Sequence, residues 1–162
     1  VAYTFQNLEA SLQERGTETV NQRGRELVAM HLMTQVAQRF HAGSPPPTVQ
    51  QLADGLGVPS RLSSQILKTL LEAKLIAEVA DVETGYAPAR PLDRITAHDV
   101  LEALRTGHGH DVDTRPDATR QLVDRELTRF GQAEQAVAGQ VTLEDLAART
   151  EALPLQETRP PP

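Results

Sequence analysis

Two stretches of this sequence carry residue types with chemistry in them. His108-Gly109-His110-Asp111-Val112-Asp113 is the one place where metal-ligand side chains crowd together. Imidazole and carboxylate suit zinc or nickel. With His98 and Asp99 as further candidate ligands, His108 and His110 would hold an adventitious ion at most; the run reads as a solvated Gly/His/Asp loop, and we expect no resident metal or cofactor. The second stretch is Ser60-Arg61-Leu62-Ser63-Ser64-Gln65-Ile66-Leu67-Lys68. Ser and Gln reach base edges, and Arg and Lys meet guanine or phosphate. Placed at the start of a recognition helix, Ser60, Arg61, Ser63, Ser64, Gln65 and Lys68 are the candidate nucleic-acid contacts. The chain has no G-x-S-x-G, phosphate-binding glycine loop or dinucleotide fingerprint, and no catalytic residue is assigned.

Composition narrows the classes further. The 162 residues contain no cysteine, which excludes thiol catalysis, disulfides and a cysteine-bound iron–sulfur cluster. Aromatics are 3%, so the core must be aliphatic. Sixteen Lys and Arg against 22 Asp and Glu give a net charge of −6, which opposes a large non-specific hold on nucleic acid. No apolar run approaches the ~18 residues that span a bilayer. The chain opens on Val, which reads as a piece of a longer product.

The elements that would position these residues follow from periodicity. Residues 1–24 read as a lead-in arm. From about Arg25, Val28, Leu32, Val36 and Phe40 fall four apart on one helical face until Pro45-Pro46-Pro47 stops the helix. Thr48-Val49-Gln50-Gln51 is a capping box opening a short helix, broken at Gly55-Leu56-Gly57. A second helix from about Ser60 to Ala73 buries Leu62, Ile66, Leu67, Leu70 and Leu71. Leu75–Val79 and Gly85–Ala87 suit a two-stranded hairpin. Thr96 with Asp99 caps another helix. The expected fold is mainly α: a winged helix-turn-helix over residues 25–105 with a two-stranded β wing. A loop covers 106–116, and C-terminal helices cover 117–150. Within the longer of these, Val123, Leu127, Phe130, Ala133 and Val137 form a seam that fits a homodimer interface. Residues 151–162, rich in proline, read as a disordered tail.

The stretch from Thr48 to Leu104, TVQQLADGLGVPSRLSSQILKTLLEAKLIAEVADVETGYAPARPLDRITAHDVLEAL, resembles two things. One is the winged helix of the Rrf2 family of bacterial transcription regulators. Gln121 to Leu146 is similar to that family's dimer helix and final short helix. The other is the cytosolic C-terminal domain of some YihY/BrkB membrane proteins, historically labelled ribonuclease BN-like, where VAYTFQNLE is similar to the segment leaving the last transmembrane helix. Rrf2 sensors place three cysteines in the loop before the dimer helix, and this loop has none. About 25 residues also precede the first winged-helix helix. Both departures favour the second resemblance.

The expectation is therefore a non-catalytic regulatory or interaction domain at the cytoplasmic face of the bacterial inner membrane. It would be joined to the membrane through a missing N-terminal region, form a homodimer, bind a protein partner of unknown identity, and contact DNA weakly. The alternative is a soluble Rrf2-like DNA-binding regulator without an iron–sulfur cluster. A ribonuclease is implied by the family label alone, and neither Val112 nor Asp113 completes the H-x-H-x-D-H pattern of metal-dependent ribonucleases. Between Pro45 and Ile95, five cations stand against six anions, and the expected wing tip carries Asp81 and Glu83 where a DNA-binding wing carries cations.

Overall fold

The computed structural model describes residues 20–153; the arm before Val20 and the proline-rich stretch after Leu153 lie outside the described residues. The chain builds α1 (Gln22–His41), α2 (Val49–Leu56), α3 (Ser60–Glu72), β1 (Ile76–Val79) and β2 (Gly85–Pro88). A short 3-10 turn (Leu92–Arg94), α4 (Ala97–Thr106), α5 (Ala118–Ala138) and α6 (Leu143–Glu151) follow. This is the expected mainly helical winged helix with a two-stranded sheet.

Local chemistry sets most boundaries. Asn21 caps α1, its side chain accepting from Gly24 N at 2.9 Å, so that helix starts earlier than its apolar stripe. Thr48/Gln51, Thr96/Asp99 and Thr142/Asp145 each form a complete reciprocal capping box, starting α2, α4 and α6. Gly57 ends α2 at φ 67°, a left-handed conformation that costs glycine little, and the chain there turns into α3. Gly131 does not interrupt α5.

The core is aliphatic. Ala29, Leu32, Met33, Val36 and Ala37 of α1 meet Leu52 of α2, Leu62, Ile66, Leu67 and Leu70 of α3, and Val100, Ala103 and Leu104 of α4. Leu143 and Ala147 of α6 close over it. Each fully buried aliphatic side chain is worth about 1.5–3 kcal/mol of transfer free energy. Phe40 continues the α1 stripe by one turn but is 56% exposed, because it lies beyond the elements that cover the helix.

The wing is an antiparallel pair with Ile76 opposite Pro88 and Val79 opposite Gly85. It is tied to the start of α2, where Tyr86 N donates to Pro47 O at 3.0 Å. Between Ile95 and Leu143 the chain closes a second junction: Ala97 N donates to Val141 O at 2.8 Å and Leu143 N to Ile95 O at 2.9 Å.

Candidate nucleic-acid interface

Helix α3 presents one face to the core and one to solvent. Leu62, Ser63, Ile66, Leu67, Thr69 and Leu70 are buried. Arg61, Ser64, Gln65, Lys68 and Glu72 are exposed, at spacings of 3, 1, 3 and 4 that place them on a single stripe. Four of the six expected contacts thus share one surface. Ser60, half-buried at the helix start, donates through Oγ to Gln50 Oε1 at 2.9 Å, and Gln50 donates to Asp54 Oδ1 at 2.8 Å. That chain fixes the start of α3 against α2.

Ser63 is a correction. It is fully buried, and its Oγ has no hydrogen-bond partner. It stands three residues before Ile66 and seven before Leu70, in phase with the core stripe. It packs inward and does not reach a groove.

The wing brings no cations. Glu78, Asp81 and Glu83 are exposed, and Val82 at the tip is 97% exposed. Arg90, just after β2, donates to Ala73 O at 3.3 Å, capping the end of α3. The wing therefore adds negative potential, and the exposed cations of α3 are Arg61 and Lys68.

The loop after α4 seats on the same helix. Thr69 Oγ1 lies 3.1 Å from His108 Nδ1 and also donates to Gln65 O at 3.2 Å. A Cβ at Gly107 would stand 2.7 Å from Thr69 Cγ2, so only glycine lets the loop pass this close. No group of three or more His, Cys, Asp or Glu side chains is placed to hold a metal among the described residues.

Helix α5 stands apart from the core. None of its residues is buried. Val123, Leu127, Phe130 and Val137 are 48–71% exposed, and Ala133 is exposed between them. Leu122, at 52% exposure, flanks the seam and escapes the strict 4-3 spacing. The helix is fastened near its C-terminal end by Arg105 of α4. Its Nη1 donates to both carboxylate oxygens of Glu134 at 2.7 and 2.8 Å, and its Nε to Glu26 Oε1 of α1 at 2.9 Å.

Comparison with known proteins agrees with this geometry. The family model Rrf2, described as an iron-dependent transcriptional regulator, matches residues 23–149. The chain is similar to CymR, the global cysteine regulator of B. subtilis, at 25% identity over 77% of this chain and 94% of that one, with a TM-score of 0.59. It is similar in fold to IscR of T. potens, at 20% identity over 85% of this chain and 93% of that one, TM-score 0.60. The same holds for the oxidized form of Staphylococcus aureus CymR, at 23% identity over 79% and 96%, TM-score 0.57. No curated protein sequence matches the chain.

These matches overturn the expected origin in a YihY/BrkB membrane protein, which nothing in them supports. The placement at the inner-membrane face rested on that origin and falls with it. No helix among the described residues is long and apolar enough to cross a membrane. The ribonuclease alternative is likewise unsupported. The misreading has a physical cause: missing loop cysteines and a long arm change what hangs on a winged helix, not how the winged helix packs.

A cysteine-held iron–sulfur cluster does not fit this chain. Cysteine thiolates are the usual ligands of iron–sulfur clusters, and the sequence has none. In the loop before α5, the ring nitrogen His108 Nδ1 is engaged with Thr69.

Proposed function

We propose, from the premise that this chain belongs to the Rrf2 family of transcriptional regulators, that it is a homodimeric, sequence-selective DNA-binding regulator working without an iron–sulfur cluster. The observation that carries this reading is the divided face of α3. Its inner side is locked in the core while Arg61, Ser64, Gln65 and Lys68 stand together in solvent. A helix held that rigidly at the second position of a helix-turn-helix can enter the major groove and read bases with its exposed stripe.

Dimerisation supplies the second half of the interface. Two copies of the uncovered α5 seam, paired, would bury the apolar side chains that one copy leaves in water. Two recognition helices then address half-sites about 34–36 Å apart on one face of the duplex.

Affinity has to come from few phosphate contacts. Arg61 and Lys68 are the cations of the α3 stripe, and the wing opposes the backbone charge. Four cations per dimer predict a slope of about −4 in log K against log salt. Selection of duplexes from a random pool, followed by titration at 50 and 200 mM salt, tests the reading. The expected result is a two-fold symmetric sequence preference that persists at the higher salt. A pool that returns no preferred sequence would overturn it.

A further inference from the structure

We propose that Arg105 is a positioning residue that fixes the angle of α5 against the winged helix and so sets the half-site separation the dimer accepts. The proposal rests on the DNA-binding, dimeric reading above, and half of its test does not.

The guanidinium joins three helices. It projects from the last turn of α4, takes Glu26 of α1 on Nε, and takes both oxygens of Glu134 of α5 on Nη1. A planar fork can serve two carboxylates in fixed directions, which an ammonium on a flexible stem cannot do. Glu26 is further held by Gln22, whose Nε2 donates to it at 3.2 Å. The hydrogen bond from Arg105 holds the Glu26 carboxyl below its ordinary value.

What makes this fork decisive is how little else orients α5. The helix buries no side chain. Three residues past its C-terminal end the backbone is pinned at Val141, where Ala97 N donates to the carbonyl. One pinned point allows a pivot, and the bond at Glu134, seven residues earlier, removes it. From Ala138 to Ala118 the helix runs about 30 Å at about 1.5 Å per residue. A tilt of about 10° at the pinned end then moves the far end by about 5 Å. One base-pair step rises about 3.4 Å, so a modest loss of angle is more than one base pair of register.

The absence of cysteine makes the direct test clean. Exposed Glu72 on α3 and exposed Gln121 on α5 are replaced by cysteine in one chain, spin-labelled, and diluted into excess unlabelled protein. The distance distribution is then measured within a single subunit, with no DNA present. A narrow distribution is expected for the parent, and a broadened or shifted one for Arg105→Gln and Glu134→Gln. Arg105→Lys, able to hold one carboxylate at a time, falls between. Glu134→Gln leaves the Glu26 pair intact and guards against a folding defect in the arginine variant. Distributions identical to the parent overturn the proposal, whatever the DNA results show.

The second arm uses the duplex selected by the parent, with its half-sites moved by one or two base pairs, and an isolated half-site. Parent protein should prefer one spacing by about tenfold or more. The variants, dimeric and binding the isolated half-site as the parent does, should discriminate by threefold or less. Retained spacing preference also overturns the proposal. A parent that selects no duplex removes the DNA reading and leaves the distance measurement to decide the clamp.

Discussion

Thr69 and His108 lie 39 residues apart and meet through Oγ1 and Nδ1 at 3.1 Å. The buried threonine also donates to Gln65 O at 3.2 Å. Through this bond the loop that precedes α5 rests on the inner edge of α3, next to Gln65 and Lys68. Replacing His108 with Ala should cost about 1 kcal/mol, the usual worth of one such bond. That is a drop of about 2–4 °C in melting temperature for a chain this size. Amide exchange should accelerate in residues 107–116 and in the C-terminal half of α3. Unchanged exchange in α3 would mean that the loop does not brace it.

The seam on α5 should decide oligomeric state. With Leu127 60% and Phe130 63% exposed, replacing both with Glu removes no core contact. The variant should stay folded, with its helical circular dichroism intact. Its mass in solution should fall from dimer to monomer, and its affinity for a two-half-site duplex should fall by about 10²-fold or more as avidity is lost. A parent dimer whose mass survives both substitutions would place the interface elsewhere.

Much of this was legible in the sequence, and the pattern of misses is physical. The three capping boxes, the glycine that turns α2 into α3 and the wing are written in neighbouring residues, so local reading finds them. The orientation of Ser63 was also available in the phase of Ile66 and Leu70, but its hydroxyl drew it into the polar set. Arg105 was not legible as a hub, because its partners lie 79 and 29 residues away. The family question went the wrong way for another reason. Both resemblances rested on the same winged-helix pattern, and the features used to separate them sit in a loop and an arm that the fold does not constrain.

Acid should weaken the protein through particular carboxylates. Glu26 is held below its ordinary value first by the Arg105 hydrogen bond, and Asp145 first by the backbone hydrogen bond from Thr142. A carboxyl depressed in the folded state contributes stability above its unfolded value, near pH 4, and loses it as pH falls through the lower folded value. Melting temperature should therefore hold between about pH 7 and 5 and decline below about pH 4. The decline should be shallower in Glu26→Gln and Asp145→Asn, as thermal melts across that range would show. An acid limb with the parent's slope in both variants would assign the loss to other groups.

Iron should make no difference to folding or to DNA binding. A ligand present at a hundredfold excess over its dissociation constant stabilises the folded state by about 2.7 kcal/mol. For this chain that is a shift of several degrees. Melts in chelator and in anaerobic ferrous iron with sulfide should coincide, and the selected duplex should bind equally in both. A rise in melting temperature with iron would show a ligand set other than cysteine.

The backbone junction between Ile95 and Leu143 gives the molecule a modular seam. The chain leaves the head at the end of α4, travels out along the loop and α5, and re-enters within reach of its point of departure, since Arg105 and Glu134 touch. Because α6 then fills the cleft over α1 with Leu143 and Ala147, no residue of α5 is buried in that core. The arm formed by the loop and α5 is in effect a cassette. Exchanging residues 108–138 for a short glycine-serine linker should yield a monomeric head that still melts cooperatively, whereas a head that fails to fold would show the arm to be structural. Grafting longer or differently pitched helices at the same two joints would then change which partner the head meets, and leave the reading surface as it is.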